Sequence, residues 1–169
     1  FHARHAAVGR SYLYQVSRRR TAFAKPFVWW VKEPLDVGLM AEAGERFSGM
    51  HDFRSFSDDD PDDKSTAVLV EHVAVAEDGD LVLIRVTGSH FLWKMVRRMV
   101  GVIVEIGRGG LPTAAVDDFL RQRSGTPARL TAPASGLFLE RVFFEGDDRT
   151  LPLVAAIPVA AAPVKPISK

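Results

Sequence analysis

The stretch FLWKMVRRMVG, residues 91–101, decides the interpretation of the chain, because it sets two adjacent arginines in an otherwise apolar run. A period of 3.6 residues predicts a helix from about residue 90 to 106. Ser89 can cap its start, and the glycines that follow residue 106 can end it. The stripe expected to face the core is Phe91, Met95, Met99 and Ile103.

The two arginines fall on different sides of this predicted helix. Lys94, Arg98 and Glu105 share one side, which we interpret as the solvent face. Arg97 lies on an apolar flank, where Gly101 leaves room for another segment. A guanidinium there must reach water or be paired, because an unpaired buried charge costs ~3–5 kcal/mol. Arg97 is therefore either half of a structural ion pair or an active-site group that holds a carboxylate or a phosphate.

A second informative stretch is RSYLYQVS, residues 10–17, whose alternation predicts a β-strand. Arg10, Tyr12 and Tyr14 share one face of this strand, and Leu13 lies on the other. An aromatic surface beside a basic group is typical of proteins that stack RNA bases. The alternative is that these are ordinary tyrosines on a half-buried strand.

The remaining pattern predicts an α+β fold with one mostly antiparallel sheet that carries its helices on one face. Asp36 is a candidate N-cap, and Asp78-Gly79 is a typical hairpin turn. We place the domain at residues 1–150 and expect the Ala/Pro-rich tail, 151–169, to be poorly ordered or wrapped on the surface. Further helices are predicted at about 37–47 and 113–122, and further strands at about 27–31, 67–76, 80–87 and 137–144.

Composition excludes several classes of protein. The chain has 169 residues, no cysteine and no apolar run long enough to cross a membrane. Scattered histidines, and an acidic run at 58–63 without the ligand pattern of a calcium loop, argue against a metal site. Residues 1–32 contain seven Lys and Arg residues and no acidic residue. This charge indicates either binding to a nucleic-acid phosphate backbone or a strand and turn exposed to solvent.

Several of these pieces together resemble the carboxyl-terminal part of the tRNA pseudouridine synthase A family. The pattern F-x-A-R, R-x-Y-x-Y, H-D-F-x-S-F and F-L-x-x-M-V-R-x-x-V-G occurs in this order and with this spacing. The matching stretches are residues 1–16, 33–57, 79–109 and 135–144.

The resemblance implies a cytoplasmic, homodimeric enzyme that isomerises uridine to pseudouridine in the anticodon stem-loop of tRNA. It implies no cofactor and no metal. The first tyrosine of R-x-Y-x-Y, here Tyr12, is expected to pack on the target base, and the arginine of M-V-R, here Arg97, to pair with a catalytic aspartate. As further RNA-binding candidates we take Arg4, Arg10, Lys94 and Arg98.

Two departures from the family pattern limit what the resemblance implies. No G-R-T-D-x-G motif occurs in the 169 residues, so we expect the catalytic aspartate to lie on an N-terminal half that acts as a partner. The basic segment after the H-D-F loop keeps one shifted lysine, Lys64, and follows the acidic run. Two alternatives stay open: an RNA-binding or assembly module without chemistry, and a dimerisation domain whose sheet edge is covered by a partner.

Overall fold

The structure, a computed structural model, describes residues 6–159. Candidate residue Arg4 therefore lies outside the described residues, as do positions 160–169 of the tail.

One six-stranded sheet organises the described part of the chain. The strand order is β2-β1-β5-β4-β3, and β6 pairs with β1 on the same side as β2. Every pairing is antiparallel except the short parallel one between β1 and β2, which confirms the predicted mostly antiparallel sheet. The strands are β1 (Ala7–Ser17), β2 (Trp29–Trp30), β3 (Gly49–Asp52), β4 (Ala67–Asp78), β5 (Leu81–Gly88) and β6 (Leu137–Phe144).

Four helices accompany the sheet within residues 6–159. They are α1 (Val37–Arg46), α2 (Met95–Gly107), α3 (Ala115–Arg121) and the single turn α4 (Thr126–Arg129). Asp36 caps α1 as predicted, since its Oδ1 accepts a hydrogen bond from the Leu39 N–H at 3.0 Å. The fold class is α+β, as the sequence predicted.

The main core lies between the sheet and helices α1 and α2. Side chains from β1, β4 and β5 meet the apolar faces of these helices, and most of them are fully buried. The strand alternation places Tyr14 in this core and Leu13 in a smaller cluster on the opposite face of the sheet.

Part of the tail covers this opposite face. Arg85, paired with Glu140, donates hydrogen bonds to the carbonyl oxygens of Leu151 and Pro152, both at 2.8 Å. The side chain of Gln15 accepts a hydrogen bond from the Ala156 N–H at 2.8 Å. Residues 151–159 are thus held along the face that the helices leave open.

Helix α2 begins later than predicted. It starts at Met95, and Lys94 before it has a left-handed backbone with φ of 61°. Ser89 does not cap the helix; its Oγ lies 3.1 Å from His90 Nδ1. The side chain of Lys94 is instead bound by Asp58, at 2.9 Å. A contact across 36 residues thus lies at the start of the helix, and the helical period could not reveal it.

The prediction that Arg98 faces solvent is wrong. Arg98 is only 5% exposed, and its guanidinium forms an ion pair with Asp58. The acidic loop, residues 58–63, folds over the side of α2 that the helical period assigns to water. A charged residue can occupy a buried position when a carboxylate is brought to it.

Gly101 sits where the segment 130–134 crosses α2. A β-carbon at this position would lie 1.7 Å from the carbonyl oxygen of Leu130, so only glycine allows the two backbones to approach this closely. The room that the sequence predicts beside Arg97 is therefore filled by backbone of the same chain.

We predict that Gly101→Ala lowers the free energy of unfolding by about 2–3 kcal/mol, because the added methyl group must push the Leu130 carbonyl away. Gly125→Ala is the matched control: its methyl group would approach only the movable end of the Arg129 side chain, at 3.4 Å, and should change stability by less than about 0.5 kcal/mol. Urea denaturation measures both. Equal effects of the two substitutions would contradict the close approach.

Candidate functional site

A cleft of about 700 Å³ opens where β1, the start of α2 and the segment before β6 meet. Tyr12 and Arg97, which the sequence singles out from distant stretches, both line it. Its other walls include Asp59, Lys64, Phe91, Trp93, Lys94 and Leu137.

Arg97 is half-buried and held by one end of its guanidinium. Its Nε donates a hydrogen bond to the Ala132 carbonyl oxygen at 2.7 Å, and the Ala132 N–H donates to the Arg97 carbonyl oxygen at 3.0 Å. Within residues 6–159, Arg97 forms no ion pair. Arg97 lines the cleft, and its two terminal nitrogens, which have no hydrogen-bond partner within residues 6–159, can donate to a planar anion there.

The two tyrosines of β1 have different roles. Tyr12 is half-buried and makes an edge-to-face contact with Phe91, with ring centroids 5.1 Å apart. Tyr14 is fully buried, and its hydroxyl donates to the Pro133 carbonyl oxygen at 2.6 Å. Burial raises the pKa of Tyr14 far above its ordinary value, against a smaller opposite effect of the Arg97 charge, so Tyr14 stays neutral. Tyr12 is the one that presents its ring to the cleft.

The acidic loop binds two of the predicted RNA-binding residues, Lys94 and Arg98, through the single carboxylate of Asp58. Hydrogen bonds from Lys94 and then Arg98 hold the pKa of Asp58 below its ordinary value. The neighbouring carboxylate, Asp59, accepts a hydrogen bond from the Trp93 N–H at 3.2 Å. Lys94 and Arg98 therefore support the turn that carries Trp93 into the cleft, and Arg98 has little exposed surface to offer a phosphate.

Several cleft residues were missed by the sequence analysis. Phe91 was assigned to the buried stripe of a helix, because the helical period was extended four residues too far. Trp93 is 66% exposed, whereas the helical period identifies it only as a neighbour of Arg97. Lys64 and His90 could not be placed from sequence, since they reach the cleft region from a loop and a strand end.

Within residues 6–159, no group of three or more His, Asp or Glu side chains is placed to hold a metal ion. No helix in the same range has the length and apolar character needed to cross a membrane.

The cleft combines an accessible aromatic ring with cationic side chains. Sites that bind single-stranded nucleic acid use the same combination. The family model described as tRNA pseudouridine synthase matches residues 43–145, and the chain belongs to that family.

Curated relatives of this family align with most of the chain. A tRNA pseudouridine synthase A of Moorella thermoacetica is 40% identical over 144 residues, which cover 84% of this chain and 58% of the relative. The enzymes of the same name from Mesorhizobium japonicum and Pseudomonas aeruginosa are 38% and 36% identical, over 82% and 87% of this chain and 57% and 52% of their own lengths. The chain thus spans a little more than half the length of these relatives.

We predict that Asp58→Asn lowers stability by about 1 kcal/mol at neutral pH, because it removes the carboxylate that Arg98 and Lys94 share. Asp58 is half-exposed, so water replaces part of the lost interaction. Since the folded-state pKa of Asp58 is lowered, the contribution is present above the ordinary pKa of 3.8 and disappears as the pH falls through the lower folded-state value.

Urea denaturation between pH 7 and pH 2 tests this prediction. Asp62→Asn, in the same loop but at a residue that forms no side-chain ion pair within residues 6–159, is the matched control and should follow the unmodified chain. A loss of stability for Asp58→Asn that persists unchanged at pH 2 would contradict the ion-pair explanation.

Proposed function

We propose that this chain forms part of a tRNA pseudouridine synthase that isomerises uridine in the anticodon stem-loop, and that a partner half supplies the catalytic aspartate. The observation that carries the proposal is the state of Arg97. Its guanidinium is oriented by Ala132, faces the cleft that Tyr12 also lines, and has no carboxylate partner within residues 6–159. Family membership and the names of the relatives support the reaction.

The chemistry assigns a separate task to each residue. A uridine stacked in RNA must be extruded before its ring and C1′ become accessible. Tyr12 offers the extruded base an aromatic surface, supported at its edge by Phe91. An aspartate paired with Arg97 would stay ionised and oriented, as a nucleophile or base must be. The glycosidic C–N bond is then broken and the base is reattached through carbon.

The aspartate reaches Arg97 only if its segment docks beside the start of α2. The terminal nitrogens of Arg97 can bind both oxygens of one carboxylate, which fixes its plane as well as its position. No metal or cofactor is part of this proposal. We also propose that the protein is a homodimer and that it is cytoplasmic. Both proposals rest on the resemblance to the family.

A second candidate is an RNA-binding or assembly module with the same fold and no chemistry. The observation that favours it is the same unpaired Arg97, which could bind a phosphate in place of a carboxylate. Pseudouridine formation by the intact protein distinguishes the two candidates, because only the first predicts it.

We predict that Arg97→Ala in the intact protein slows pseudouridine formation by about 100-fold or more while tRNA affinity is largely retained, because the aspartate loses its orienting cation. Single-turnover assays on a tRNA transcript measure the rate, and filter binding measures the affinity. Arg121→Ala, which removes one partner of an exposed ion pair in α3, is the control and should leave the rate and the affinity unchanged. An unaltered rate for Arg97→Ala would exclude the proposed pairing.

For Tyr12, we predict that Tyr12→Phe retains RNA affinity and that Tyr12→Ala weakens it by about 1–3 kcal/mol, roughly 5- to 150-fold, because only the alanine variant loses the ring on which the base stacks. Fluorescence anisotropy with an anticodon stem-loop RNA measures the affinity. Equal losses for both variants would show that the hydroxyl group, not the ring, makes the contact.

A further inference from the structure

A smaller cavity of about 320 Å³ adjoins the cleft. It shares Tyr12, Lys64 and Phe91 with the cleft, and its remaining walls are Arg10 and His90. Tyr12 therefore separates two spaces, one that leads to Arg97 and one that is lined by basic side chains. We call the second space the basic pocket.

The basic pocket gathers three basic side chains from three different elements. Arg10 lies on β1, Lys64 follows the acidic loop, and His90 follows β5. Partial removal of water around the ring, and then the positive charges of Lys64 and Arg10, lower the pKa of His90. The Lys64 ammonium group forms an ion pair with the carboxylate of Asp59, 3.6 Å away.

The charge in the basic pocket is only partly compensated. Arg10 forms no ion pair or side-chain hydrogen bond among the described residues, and Lys64 shares Asp59 with the backbone of Trp93. Lys94 and Arg98, by contrast, are bound by Asp58. Arg10, which has no ion-pair partner among the described residues, and Lys64, whose partner carboxylate also binds a backbone N–H, are thus available to an anion in the basic pocket, as Arg97 is in the cleft.

We propose that the basic pocket binds a backbone phosphodiester of the RNA, next to the nucleotide whose base lies on Tyr12. This inference rests on the proposed function and adds where the backbone of the bound RNA lies. Because Tyr12 is a wall of both spaces, a nucleotide can place its base in the cleft while its phosphate stays in the basic pocket. The phosphate would hold the extruded nucleotide against return to the stack.

The first test measures RNA affinity. The 169-residue chain is titrated with an anticodon stem-loop RNA at several salt concentrations, with the variants Arg10→Gln, Lys64→Gln and His90→Gln and their triple combination. The expected result is a loss of affinity of about tenfold or more for the triple variant, with a smaller dependence on salt, because at least one phosphate contact is lost. Arg121→Gln is the control and should match the unmodified chain.

The second test follows the His90 ring by NMR as the pH is changed. Stem-loop RNA and uridine 5′-monophosphate should each raise the midpoint of its titration, because an anion replaces water beside the ring, whereas uridine should not. His72, an exposed residue of β4 that does not line the basic pocket, is the internal control.

The outcomes separate this inference from the proposed function. Unchanged affinity and salt dependence in the triple variant, together with an unresponsive His90, would overturn the phosphate site and leave pseudouridine formation by the intact protein unaffected. A His90 response to inorganic phosphate without any response to RNA would show a site for free anions and would also overturn it. Absence of pseudouridine formation alone would contradict the proposed function and not the phosphate site.

Discussion

The contact between α2 and the segment 130–134 is the constraint on which the cleft depends. Gly101 lets the two backbones approach, and the reciprocal hydrogen bonds between Arg97 and Ala132 join them one turn earlier. Tyr14 binds the same segment through Pro133. Strand β1, helix α2 and the segment that leads into β6 are thereby fixed around one space, and a half-buried guanidinium is held there without closing the cleft.

The sequence predicted features that depend on local periodicity. Alternation along β1 separated Tyr14 from Leu13, and the cap at Asp36 located α1, because each depends on neighbours in the chain. Periodicity failed for α2, where a carboxylate 36 and 40 residues away binds Lys94 and Arg98. A helical period describes the faces of one helix, and it contains no information about which loop will cover them.

Only part of the candidate site could be predicted, because patterns along the chain do not show which distant segments meet. The helical period singled out Arg97, the strand alternation singled out Tyr12, and the resemblance suggested their roles; the fold brings both to one cleft. The basic pocket could not be predicted, since Lys64 and His90 become neighbours only when a loop and a strand end meet. The acidic loop also has a role that its composition concealed, because its Asp58 binds both Lys94 and Arg98 at the start of α2.

The central claim is that Arg97 and an aspartate of the partner half act as one unit. A double-mutant cycle in the intact protein tests it directly, with Arg97→Ala and replacement of that aspartate by asparagine, read as the rate of pseudouridine formation. If the two residues act together, the double variant should be about as slow as the slower single variant. Rate losses that multiply, as for independent residues, would contradict the claim.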